Sequence, residues 1–189
     1  SRLSRGLGDV YKRQVLTWAN ALTSLRLLLC LPVYLLIEQQ RWLPCALCLF
    51  VAVLTDVFDG KMARKLHQAS PMGGFFDHAT DALFVTFGSL ALASIDIINP
   101  WLAWLIPMAF IQYSVDSRLL AGYALRSSAL GRINGIAYFV LICTAVGSLL
   151  LDWSWLQTFV SLFAWLLVAS TLASMIDRLQ ASLRLQQRL

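Results

Sequence analysis

Charge is scarce in this chain. Its 189 residues include 15 Lys and Arg, 10 Asp and Glu and 2 His, so charged residues make up 13%, against about 25% in soluble domains. A disordered chain needs the opposite balance, low hydrophobicity with high charge. The apolar fraction is 59%, where soluble domains run at about 45–50%. A domain of this length has too little interior to hide the excess, so the chain is expected in a bilayer. Cysteine is sparse as well. Cys30, Cys45, Cys48 and Cys143 all lie in apolar runs. Cys45-x-x-Cys48 has neither a second pair nor a nearby His, which argues against zinc and for small residues at helix contacts. Length fits one domain, and nothing repeats internally.

Apolar runs of about 20 residues cross a bilayer, and six candidates follow one another: about 21–39, 42–64, 73–95, 98–121, 132–151 and 153–177. Turn chemistry separates them at Glu38-Gln39-Gln40-Arg41, Ser70-Pro71-Met72-Gly73-Gly74, Asn99-Pro100 and Asp152. Trp18, Trp42, Trp101, Trp104, Trp153 and Trp155 fall near span ends, as an aromatic belt requires. The expected fold is all-α, a six-span polytopic membrane domain over 15–178. Residues 1–14 are expected to be a foreign or disordered extension, and 179–189 a basic amphipathic tail on the inner leaflet. With six spans both termini share one face, and with them go 14 of the 15 basic residues, leaving only Arg41 opposite. The positive-inside rule makes that face cytoplasmic, which explains the net charge of +5 without a nucleic-acid partner. A bacterial inner membrane is the expected location.

Two spans contain acids that a bilayer should exclude. The charge-free stretches 42–55 and 82–95 are 14 residues each, short of a crossing, so the second helix must take in Asp56 and Asp59 and the third Asp77 and Asp81. Asp56 and Asp59 are spaced i, i+3 and Asp77 and Asp81 i, i+4, which puts each pair on one helix face. A short loop makes the two helices antiparallel neighbours, so both pairs converge. Two unit charges about 4 Å apart repel by about 4 kcal/mol at an effective dielectric near 20. Two divalent cations would neutralise four carboxylates, and oxygen donors favour hard ions such as Mg²⁺, Mn²⁺ or Ca²⁺ over zinc. Paired metals of this kind serve phosphoryl displacement.

Between and around these acids the chain reads Asp56-Val-Phe-Asp59-Gly60-Lys-Met-Ala63-Arg64, eight residues, then Gly73-Gly-Phe-Phe-Asp77-His-Ala-Thr-Asp81. This D-x2-D-G-x2-A-R-x8-G-x3-D-x3-D pattern resembles the signature of the CDP-alcohol phosphotransferases, membrane enzymes of phospholipid headgroup synthesis. The resemblance implies that Asp56, Asp59 and Asp77 hold the metals, with Asp81 as ligand and as base for the acceptor hydroxyl. It assigns Gly60, Ala63, Arg64, Ser70 and Gly73 to the CDP group, and places the active site at the cytoplasmic ends of helices 2 and 3. Asn20-Ala-Leu-Thr23-Ser-Leu-Arg26 is similar to the family's first-helix pattern, which puts Asn20 and Thr23 at the CDP site. Read from the residues alone, that stretch is a capped helix start with a snorkelling Arg26. CDP-diacylglycerol is the implied donor, an alcohol the acceptor, CMP the leaving group and a homodimer the implied assembly.

Arg118, Arg126 and Arg132 form a clamp if the acceptor carries phosphate. The glycerophosphate-using subgroup commonly reads F-x-D-P-x-x-D-K, whereas here His78 and Ala82 stand at the Pro and Lys places, which leaves the acceptor open. His78 itself is expected to turn toward the loop. The rival function is a divalent-cation transporter with the Asp cluster as its ion site. Such a site belongs near the midplane on broken helices, not at one face beside a basic loop.

Overall fold

In a bilayer core every backbone amide and carbonyl must find its partner within the segment, so long apolar runs form helices, and helices are what form. The computed structural model describes residues 18–65, 71–119 and 129–186, with side chains described over 21–58, 73–116 and 129–181. Six helices carry these residues: α1 (Trp18–Glu38), α2 (Trp42–Lys65), α3 (Pro71–Ser94), α4 (Pro100–Leu119), α5 (Ala129–Leu150) and α6 (Ser154–Gln186). Each matches one expected span. α1 begins at Trp18, so Asn20 lies inside its first turn instead of capping it. α6 continues unbroken to Gln186, so the expected tail is, as far as it is described, the end of a helix.

The turns after α1, α3 and α5 share one construction. Gln40, Asp96 and Asp152 have positive φ, 54°, 61° and 52°, the left-handed conformation that closes a helix and usually falls to glycine. In each the next residue's amide reaches back five residues: Arg41 N to Leu36 O at 2.8 Å, Ile97 N to Leu92 O at 3.0 Å, Trp153 N to Ser148 O at 2.9 Å. Asn99 then caps α4, its Oδ1 accepting from Leu102 N at 3.1 Å, with Pro100 as first helical residue. Exposed Trp101, Trp104, Trp153 and Trp155 cluster at this end, the aromatic belt the sequence predicts.

α1 packs most extensively on α2 and α3; α3 on α4, α4 on α6, α6 on α5 and α5 on α2 complete a ring, with α3 also touching α5 across it. The core between them includes Val33, Ile37, Phe84, Leu92, Leu141, Ile142, Val146 and Val160, all fully buried. At Gly88 the α3–α5 approach is so close that a Cβ would lie 2.8 Å from Ile142 Cδ1.

The outside is more greasy than a water-soluble bundle allows. Leu28, Leu31 and Leu35 on α1, Trp101, Trp104, Met108, Ile111 and Val115 on α4, and Phe159, Leu162 and Leu166 on α6 are exposed. Polar groups such as Thr55, Thr80, Ser89, Asn134 and Thr171 are buried. Among the described residues three segments are long and apolar enough to cross a bilayer, Ala21–Glu38, Ala129–Leu150 and Ser154–Ala181. α2, α3 and α4 have 24, 24 and 20 residues, and the described part of α2, Trp42–Phe58, is itself an apolar helix. The chain is a multi-pass integral membrane protein.

Candidate active site

The deepest polar feature is a cation. Arg26 is the single charged residue of α1 before Glu38, and its side chain is fully buried. A charge there is tolerable only when paired. Its guanidinium donates from Nη1 to Asp56 Oδ1 at 2.8 Å and from Nη2 to Asp77 Oδ1 at 3.1 Å. Nη1 also donates to Asp81 Oδ1. One planar fork thus gathers carboxylates from α2 and α3. The alternative of a snorkelling Arg26 does not hold: the helices on either side place carboxylates within hydrogen-bond reach. The sequence did hold a signal for this, since an ionisable residue alone in an apolar run implies a buried partner.

Three of the four motif acids are brought together as the spacing predicts. Asp56 is about half exposed, while Asp77 and Asp81 are less so, so the cluster is backed by α1 and open on its other side. Counting about 1.5 Å per residue from the nearby helix ends, Arg26 and the three acids sit roughly 9–15 Å inside the bundle. His78, expected to face the loop, places Nδ1 3.8 Å from Asp77 Oδ2. Asp77, His78 and Asp81 offer ligand atoms within 4.8 Å of one another. The donor set fits a hard divalent cation: carboxylate oxygens from two helices already converge on a positive group.

Thr23 lies buried on α1, three residues from Arg26, and Gly73 is half-buried on the first turn of α3. Asn20, Asp59, Gly60, Ala63 and Arg64 lie on helices whose backbone is described, but their side chains fall outside the described residues, as does the side chain of Arg118. Ser70 and Arg126 lie outside them altogether. Arg132 is exposed in the first turn of α5. Across from it, Arg178 lies over the Tyr113 ring at 4.8 Å from its centroid. Arg178 was not among the sequence-predicted site residues; position alone gives a lone basic residue near a helix end no distinction.

Parts of this sequence are similar to known proteins. Residues 16–176 match the family described as CDP-alcohol phosphatidyltransferase. Cholinephosphotransferase 1 of Xenopus laevis is 38% identical over 64 residues, covering 32% of this chain and 16% of that protein. Human cholinephosphotransferase 1 is 34% identical over 76 residues, 39% of this chain and 19% of the relative. Choline/ethanolaminephosphotransferase 1 of Arabidopsis thaliana is 39% identical over 74 residues, 35% and 19%. The chain thus spans less than a fifth of the length of these relatives. All three are eukaryotic and lend nothing to a bacterial location. With the family match running from before α1 nearly to the end of the apolar part of α6, this chain belongs to the CDP-alcohol phosphatidyltransferase family.

Proposed function

We propose that this protein transfers a phosphatidyl group from CDP-diacylglycerol to an alcohol, releasing CMP, with divalent cations as cofactors. The observation that carries this reading is the convergence of Asp56, Asp77 and Asp81 on one buried cation, within a motif of matching spacing. Asp56, Asp59, Asp77 and Asp81 would hold two Mg²⁺ or Mn²⁺. When bound, these supply charge neutralisation for the diphosphate and its leaving oxygen.

The chain's own residues do the rest. The carboxylate of Asp81 accepts the proton of the acceptor hydroxyl as that oxygen attacks the β-phosphorus. The new O–P bond forms as the bridging P–O bond to CMP breaks, and the proton stays on Asp81 until it leaves to water. Gly60, Ala63 and Gly73 carry little or no side chain, so a nucleotide can lie against α2 and the start of α3. Arg64 and Ser70 serve the phosphates, with Asn20 and Thr23 bordering the same site. Arg118, Arg126 and Arg132 bind the acceptor where it carries phosphate. α2, α3 and α4 complete six spans, the acid cluster and both termini face the cytoplasm, and the protein works as a homodimer.

A second assignment of substrates has the relatives' names in its favour. In a cholinephosphotransferase the small amino alcohol travels on the phosphate that is transferred, so the same cluster would serve CDP-choline or CDP-ethanolamine with a lipid alcohol as acceptor. Standing of His78 and Ala82 where glycerophosphate users have Pro and Lys agrees with that assignment. Family membership removes the reason to prefer a divalent-cation transporter.

CMP release by the purified protein with Mg²⁺ or Mn²⁺ tests both. Turnover of CDP-diacylglycerol with glycerol 3-phosphate, inositol phosphate, inositol, serine or phosphatidylglycerol establishes phosphatidyl transfer. Turnover only of CDP-choline or CDP-ethanolamine with diacylglycerol establishes the second. No CMP from either donor, in folded protein, overturns the proposal.

A further inference from the structure

We propose that Arg26 is a built-in counter-cation that holds the carboxylate cluster together without a divalent ion and competes with that ion for the same oxygens. The inference rests on the metal-binding reading of the cluster and concerns what this chain does before the ion arrives. Asp56, Asp77 and Asp81 come from two helices and carry three negative charges. Left alone they would drive α2 and α3 apart. Arg26 meets each of them through its Oδ1 atom, using both terminal nitrogens, and an oxygen lone pair engaged by an N–H is not also given to a metal.

The side chain has nowhere else to go. Arg26 is fully buried on the helix that packs most extensively against both acid-bearing helices. Water cannot take over its hydrogen bonds, so yielding the cluster to an ion requires the guanidinium and the α1 contacts around it to rearrange. Removing the positive charge takes away both the competitor for oxygens and the repulsion felt by an incoming divalent ion. At distances of about 5 Å that repulsion is strong enough to weaken ion binding at least about tenfold. Arg26 is in this sense a positioning residue, and its removal should move two quantities in opposite directions: stability without ion down, affinity for ion up. A residue that merely supported the site would lower both.

The experiment uses the full chain in detergent, with Mn²⁺ binding followed by electron paramagnetic resonance and thermal unfolding recorded with and without Mn²⁺. Arg26→Gln is expected to unfold at lower temperature without ion, to bind Mn²⁺ at least about tenfold more tightly, and to gain more in unfolding temperature from Mn²⁺ than the wild type does. Arg26→Lys keeps the charge but not the fork, and should fall between the two; it stands in for Arg26→Gln if the latter folds only with Mn²⁺ present. Wild-type Mn²⁺ binding with equal or weaker binding in both variants overturns the competition alone. A wild type that binds no Mn²⁺ overturns the metal reading, and the competition with it.

Discussion

Two halves of this bundle bury polar groups by opposite means. Around α1, α2 and α3 the buried polar groups include a full charge, Arg26, set against Asp56, Asp77 and Asp81. Between α5 and α6 the buried polar groups are neutral. Thr171 Oγ1 donates to Leu167 O at 2.6 Å and stands 2.6 Å from Tyr138 Oη, so the tyrosine hydroxyl donates to it. Ser170 Oγ donates to Asn134 Oδ1 at 2.6 Å. Neutral hydrogen bonds join two helices at little electrostatic cost. A carboxylate cluster with one guanidinium leaves negative charge in excess, a poor way to stabilise a fold and a good way to receive a cation. The contrast separates a half joined by neutral hydrogen bonds from the half in which we place the chemistry.

Breaking the chemical half should have the largest effect. Asp81→Asn removes the proposed base while keeping shape, and CMP release is expected to fall by about 100- to 10,000-fold, with Mn²⁺ binding weakened but present; full activity would end the assignment of Asp81 as base. Next comes stability without ion. Arg26→Leu leaves the acids without their counter-charge, and denaturation in detergent should show a loss of about 3 kcal/mol. Gly88→Ala, at the α3–α5 contact joining the halves, forces fully buried Ile142 to shift. A cost of about 1–2 kcal/mol is expected there, the same with or without Mn²⁺.

The neutral half should respond less. Tyr138→Phe deletes one hydrogen bond, about 1 kcal/mol in the same assay. Divalent ion should offset part of the loss in Arg26→Leu and none of it in Tyr138→Phe; equal rescue of both would erase the distinction between the halves. The smallest effect belongs to exposed Arg132. Its replacement by Ala should raise the KM for a phosphorylated acceptor about two- to fivefold and leave that for an uncharged alcohol alone.

Most of the architecture was legible in the chain. Apolar runs gave six helices with ends within a few residues, except at α6. There the charge of Asp177 and Arg178 suggested a boundary, but helical propensity does not stop at a membrane surface. The turns were legible from their polar residues. Their closure by Gln40, Asp96 and Asp152 in a conformation usually left to glycine was not, because three Schellman turns outweigh the modest strain of each side chain. The partners of Arg26 were not legible either, for a different reason. From sequence, a cation near a helix start has the membrane surface as its nearest polar partner, and only the packing of α1 against α2 and α3 shows that carboxylates are nearer.

By itself, then, the sequence determined the number of helices, their membrane setting and the pairing of acids on two helix faces, because these follow from local periodicity and from the length a bilayer demands. Which cation sits among those acids was decided by tertiary structure alone. The partners of Arg26 are 30, 51 and 55 residues away in the chain, and no local rule of spacing carries the geometry of a contact between three helices.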